Sequence, residues 1–107
     1  MTNTLPPSCN PGMHFYVYIV TNRPYGTLYI GVTNDIARRA WEHREGIVAG
    51  FTKRYGLKLL IHVEIFDSIS EAIHRERRLK TWNRAWRIAL IEKENPNWDD
   101  LYPTLLE

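Results

Sequence analysis

His14-Phe-Tyr-Val-Tyr-Ile-Val20, then Asn22-Arg-Pro-Tyr-Gly26, then Thr27-Leu-Tyr-Ile-Gly31 follow one another near the start of the chain and decide its fold. Aromatic and β-branched residues fill the two outer segments, and Pro and Gly mark a turn between them, so the stretch reads as a β-hairpin. Side chains alternate along a strand, which puts Phe15, Val17 and Ile19 on one face and Tyr16, Tyr18 and Val20 on the other. Tyr29 sits in the second strand. Gly31 follows it, where a strand must bend or let another group approach its backbone.

After the hairpin, Thr33 or Asn34 supplies an N-cap for a helix from Asp35 to Glu45, with Gly46 as its stop. The segment from Gly46 to Gly56 has three glycines and little periodicity, and reads as a loop. Leu57 to Phe66 has the composition of a mostly buried third strand. Ser68 with Glu71 resembles a capping box opening a second helix that runs to about Trp82, its core stripe formed by Ile69, Ala72, Ile73 and Leu79. A third helix spans Arg84 to Glu94 and ends at Asn95-Pro96. Trp98, Leu101 and Tyr102 pack back onto the domain. The order ββαβαα implies an α+β fold, a small, mainly antiparallel three-stranded sheet flanked by helices.

With 107 residues, 44% hydrophobic and 24% charged, the chain can bury one core and has no spare length for a second domain. Residues 1–12 contain Pro6, Pro7 and Pro11 and no charge, so they are expected to be a disordered tail or an appended remnant, with 13–107 as the single domain and Met13 its natural start. The uncharged run from Phe15 to Asn22 is far shorter than the roughly 20 apolar residues of a membrane span. The single cysteine, Cys9, allows neither an internal disulfide nor a Cys-rich metal site, which fits a reducing, cytoplasmic setting.

The formal net charge of +2 hides two basic blocks. Arg23 to Lys58 carries seven bases against three acids, and Glu71 to Arg87 carries six against two. An acidic end, Ile88 to Glu107, with one lysine against five acids, offsets them. Basic blocks that share a face would suit a polyanion; the plainer reading is that they solvate helices.

Three features point to chemistry. On the second helix Glu76 falls within the stripe of Ala72 and Leu79, and a carboxylate among apolar groups must be neutralised, paired with an arginine or bound to a cation. On the first helix Arg39 and His43 lie one turn apart beside Ile36 and Ala40, while Arg38 is rotated away and can pair with Glu42. An arginine there can grip a phosphate, and the histidine adds a donor or a proton-transfer group. On the hairpin, Tyr18 and Tyr29 lie near the middle of paired strands. The plainer readings are a salt bridge, a surface helix and amphipathic core tyrosines.

Taken in order, these residues resemble the GIY-YIG endonuclease superfamily, and especially its small single-domain bacterial members. Tyr16-Val17-Tyr18 stands for the first signature tripeptide, with Tyr16 where the name has Gly, and Tyr29-Ile30-Gly31 matches the second. The stretch from Thr33 to His43 is similar to the family's helix with its Arg, and Glu71 to Trp82 to the segment with its metal-binding Glu, at Glu76. The resemblance spans His14 to Leu101.

It implies metal-dependent hydrolysis of DNA phosphodiesters, with Glu76 holding one Mg²⁺ or Mn²⁺, Arg39 the scissile phosphate, and Tyr18, Tyr29 or His43 activating water. Lys53, Arg54, Arg75, Arg78, Lys80 and Arg84 would contact the backbone, and Gly31 would be structural. Such contacts read no sequence, so low specificity and structure-selective or single-stranded substrates are expected, with RNA as a further nucleic-acid partner. No membrane and no small-molecule cofactor is expected, and the protein is expected to act as a monomer, alone or with a protein partner. Two competing readings are a non-catalytic nucleic-acid-binding module and a structural domain in which Glu76 and Arg39 form a buried ion pair.

Overall fold

The structure, a computed structural model, describes residues 14–48 and 50–105; the expected tail lies outside the described residues. Strands β1 (Phe15–Thr21), β2 (Leu28–Thr33) and β3 (Leu59–Phe66) form one antiparallel sheet in the order β2-β1-β3. Five helices accompany it among the described residues: α1 (Ile36–Arg44), α2 (Phe51–Tyr55), α3 (Ile69–Thr81), α4 (Arg84–Glu94) and α5 (Tyr102–Leu105). The α+β class and the antiparallel sheet are as the hairpin and the third apolar run imply.

β1 is central because it is apolar on both faces, and each face feeds its own core layer. Val17 and Ile19 join Ile30 and Ile61 under Ala72 and Leu79 of α3, Ile91 of α4 and Trp98. Tyr16, Tyr18 and Val20 join Leu60 under Ile36 and Ala40 of α1, with Leu57 and, more peripherally, Tyr29, Leu101, Tyr102 and Leu105. The β1–β3 register slips between Ile19 and Val20, so Ile61 and His62 both serve the α3 layer.

Several local readings are corrected. α1 is capped by Asp35, whose carboxylate accepts from the Arg38 N–H at 3.2 Å, while the Thr33 hydroxyl accepts from the Asp35 N–H at 3.1 Å. The glycine-rich loop contains α2, closed by Gly56 at φ 65°; five residues are too few for helical periodicity to show. Ile69, expected in the core stripe, is exposed at the first position of α3. Ser68 does cap α3 through the Glu71 N–H, and Asn83 caps α4 through the Trp86 N–H.

The C-terminal segment is fastened to β3. Asp100 accepts from the Leu60 and Tyr102 N–H groups and pairs with Arg44, and buried Asn95 donates to the Ile61 carbonyl. Among the described residues no helix is long and apolar enough to cross a membrane.

Candidate active site

Tyr18 and Gly31 stand opposite each other in the β1–β2 ladder. The Tyr18 ring lies over the glycine, so closely that a Cβ there would be 2.5 Å from the hydroxyl and 2.6 Å from Cζ. With the ring pressed onto the strand, its hydroxyl reaches His43 Nε2 of α1 at 3.1 Å, and both residues are buried. The Tyr29 ring completes a trio, 6.5 Å from Tyr18 and 6.2 Å from His43 between centroids.

Arg39, one helical turn before His43, borders this trio with a side chain 38% exposed. Its Nε bonds Glu42 Oε1 at 3.0 Å, and Arg38 shares the same carboxylate at 3.4 Å. These three line a polar groove with Thr33, Asn34 and Asp35 at the end of β2.

Burial sets the protonation of the trio. It pushes the Tyr18 phenol up to about 12, although the Arg39 guanidinium pulls part of the way back. It pushes the His43 imidazole down to about 4, and here Arg39 acts in the same sense, with Glu42 a partial offset. At neutral pH the hydrogen bond between them joins a protonated phenol and an uncharged imidazole.

Glu76 lies elsewhere in the fold. As the helical projection implies, it shares a line with buried Ala72 and Leu79, and its side chain is only 17% exposed. Its carboxylate pairs with Lys80 at 2.5 Å, whereas Arg39 is engaged by Glu42, so a buried Glu76–Arg39 pair is not what the fold contains. α3 packs on the face of the sheet opposite α1, against β1 and β2. Among the described residues, Glu76 and the trio exchange no hydrogen bond.

The candidate phosphate contacts divide in two. Arg75 is turned inward, giving two hydrogen bonds to Glu64 at 2.8 and 3.0 Å, with its guanidinium 5.1 Å from the Trp82 ring centre. Lys80 is held by Glu76, and Arg84 donates to the Tyr25 and Gly26 carbonyls, locking the hairpin turn to α4. Lys53, Arg54 and Arg78 are exposed.

Two arrangements escaped sequence reasoning. Glu64 accepts from both Arg75 and, at 2.8 Å, the buried His62 ring; burial alone would raise its pKa, but these bonds and charges outweigh it and hold it at about 2. Nothing in the sequence links positions on a strand and a helix eleven residues apart. On α2, Phe51 stacks beside Tyr29 with 6.3 Å between centroids and 29° between planes, and Tyr55 lies 4.7 Å from Phe51. That one carried a signal: two aromatics spaced i,i+4 around Lys53-Arg54.

The GIY-YIG catalytic domain family matches residues 14–89. A UPF0213 protein of Halobacterium salinarum is 44% identical over 79 residues, covering 74% of this chain and all of that protein. One from Staphylococcus saprophyticus is 38% identical over 78 residues, covering 73% and 94%. The solution NMR structure of a UPF0213 protein from Bacillus halodurans shares 29% identity and a TM-score of 0.52, over 81% of this chain and 92% of that one. With the signature tyrosines, Gly31, Arg39 and His43 assembled on one face of the matched fold, the chain belongs to the GIY-YIG family.

Proposed function

We propose that the protein is a divalent-metal-dependent endonuclease that hydrolyses DNA phosphodiester bonds with little sequence specificity. The observation that carries this reading is the juxtaposition of Arg39 with the Tyr18–His43–Tyr29 trio, in a chain whose family is that of a catalytic domain.

Arg39 offers a fork of N–H donors at the rim of the trio, suited to gripping a phosphate and to offsetting charge that develops on it; in exchange it would release Glu42. Tyr29 is the trio member that is not fully buried, and it orients the attacking water. Tyr18, held protonated, fixes the imidazole plane, and uncharged His43 supplies a nitrogen toward which a proton can move.

Among the described residues no three His, Cys, Asp or Glu side chains gather, and the candidate ligand is the lone Glu76 carboxylate that the family resemblance points to, whose neighbour Lys80 is half-exposed. One carboxylate suits Mg²⁺ or Mn²⁺, which keep waters and take substrate phosphate oxygens as further ligands. Bound there, the ion would polarise the phosphate and neutralise the leaving oxygen. Lys53, Arg54 and Arg78 then hold flanking phosphates, contacts that position a strand without reading it.

A second reading is a nucleic-acid-binding module without turnover, and the Glu76–Lys80 pair favours it, since the carboxylate is already neutralised. Supercoiled, single-stranded and branched DNA, each incubated with Mg²⁺ or with EDTA, separate the two. Cleavage is expected with Mg²⁺ and is lost with EDTA, with Glu76→Ala and with Arg39→Ala. Cutting that survives both EDTA and Glu76→Ala removes the mechanism; binding without cutting under any divalent ion selects the second reading.

A further inference from the structure

We infer that α2 is a nucleobase-stacking platform that selects unpaired nucleotides of the DNA substrate beside the scissile bond. This deepens the nuclease reading and rests on it for the direction of approach. Phe51 and Tyr55 are large aromatic side chains left 47% and 46% exposed, although each touches another ring. They continue outward from Tyr29, so Tyr29, Phe51 and Tyr55 form a ladder that begins in the candidate site and ends in solvent.

The charge on the segment that carries the two outer rings is of one sign. Lys53 and Arg54 lie between the two rings in sequence, Lys58 follows, and the chain from Gly46 to Lys58 contains no acid. The Arg54 guanidinium lies 5.7 Å from the centre of the Tyr55 ring. Exposed aromatic faces flanked by cations match a strand whose bases stack while its phosphates are neutralised. An apolar peptide would gain little from three cations, and a duplex hides its base faces in its own stack. The occupant that fits is therefore a nucleotide already out of a helix, in a single strand, a flap or a junction.

The position of α2 follows from Gly56 and Leu57. Gly56 ends the helix in the left-handed region, and Leu57, fully buried, pins the segment to the α1 layer while the Leu57 N–H donates to the Thr52 carbonyl at 2.9 Å. Phe51 is thus held against Tyr29 by backbone geometry, with no need of its own burial.

The test is binding in EDTA, so that it does not depend on turnover. Fluorescence anisotropy of a labelled 12-nucleotide single strand and of the blunt duplex of the same sequence is measured with the full chain. The intact protein is expected to bind the single strand at least 5-fold more tightly, the lower end of one base stacked on one ring. Phe51→Leu/Tyr55→Leu, which keeps apolar bulk and removes the rings, is expected to abolish that preference and leave duplex affinity within 2-fold. Phe51→Trp is expected to retain it. Lys53→Gln is expected to weaken both ligands alike and reduce the salt dependence.

Equal affinity of the intact protein for the two ligands overturns the proposal, whatever the variants do, and so does a double variant that loses both in parallel. Single-strand preference that depends on the rings, without cleavage under any divalent ion, leaves the platform standing and removes the nuclease reading. Cleavage indifferent to the rings does the reverse.

Discussion

Tyr18 and Gly31 occupy one another's space: across the β1–β2 ladder, the tyrosine hydroxyl lies where a Cβ on residue 31 would be only 2.5 Å away. Gly31→Ala should therefore destabilise the fold by about 1–3 kcal/mol, as over-packing does, instead of stabilising a strand as alanine otherwise would. Tyr18→Phe should not rescue it, because Cζ, at 2.6 Å, stays in the way. Urea denaturation of the two single variants and the double variant checks this.

His43 makes stability depend on pH in mild acid. Its folded pKa, lowered to about 4 from the ordinary 6.5, means that the unfolded chain binds more protons between those values. The contribution is present in full above 6.5 and is lost as pH falls through about 4. The urea midpoint should fall from pH 7 to pH 4.5, and fall less in His43→Leu, the comparison isolating this ring from the other histidines.

Glu64 acts in a lower window. Held at about 2 against an ordinary 4.5, it contributes stability above pH 4.5 that disappears as pH approaches 2. Glu64→Gln removes the charge that Arg75 and His62 face and should destabilise the fold by about 2 kcal/mol at pH 7, with less further loss in acid than the intact protein shows. Thermal melts at pH 7, 4 and 2.5 measure both effects.

Within the candidate site, the two tyrosines should separate. Tyr29→Phe removes the hydroxyl proposed to orient water and is expected to lower single-turnover cleavage by about 100-fold, as loss of a positioned proton-transfer group does, with little change in melting temperature. Tyr18→Phe removes the buried bond to His43, so it should lower both stability, by about 1 kcal/mol, and cleavage. A Tyr29→Phe enzyme with unaltered cleavage would reassign the water-orienting role.

The sheet was legible because its signal is local. Alternation in His14 to Val20, turn residues at Asn22 to Gly26 and the apolar run to Phe66 specify three strands, and Ser68 and Asn83 announce their helices through caps that act within three residues. The expected cap, Thr33 or Asn34, gives way to Asp35, which opens α1, while the Thr33 hydroxyl accepts from the Asp35 N–H one step earlier. α2 fell below the length at which periodicity shows, and its aromatic spacing went unread.

The sequence by itself determined the α+β class, the pairing of Tyr16 with Tyr18 on one face, the inward setting of Glu76 and the order of the signature residues, all consequences of strand and helix periods. Only the tertiary structure decided who meets whom. It turned Arg75 onto Glu64 and Arg84 onto the hairpin turn, and stood Phe51 beside Tyr29. It also put α3 and α1 on opposite faces of the sheet, which period cannot reveal. The physical reason is that periodicity fixes a side chain's direction relative to its own element, while its partner depends on how those elements pack.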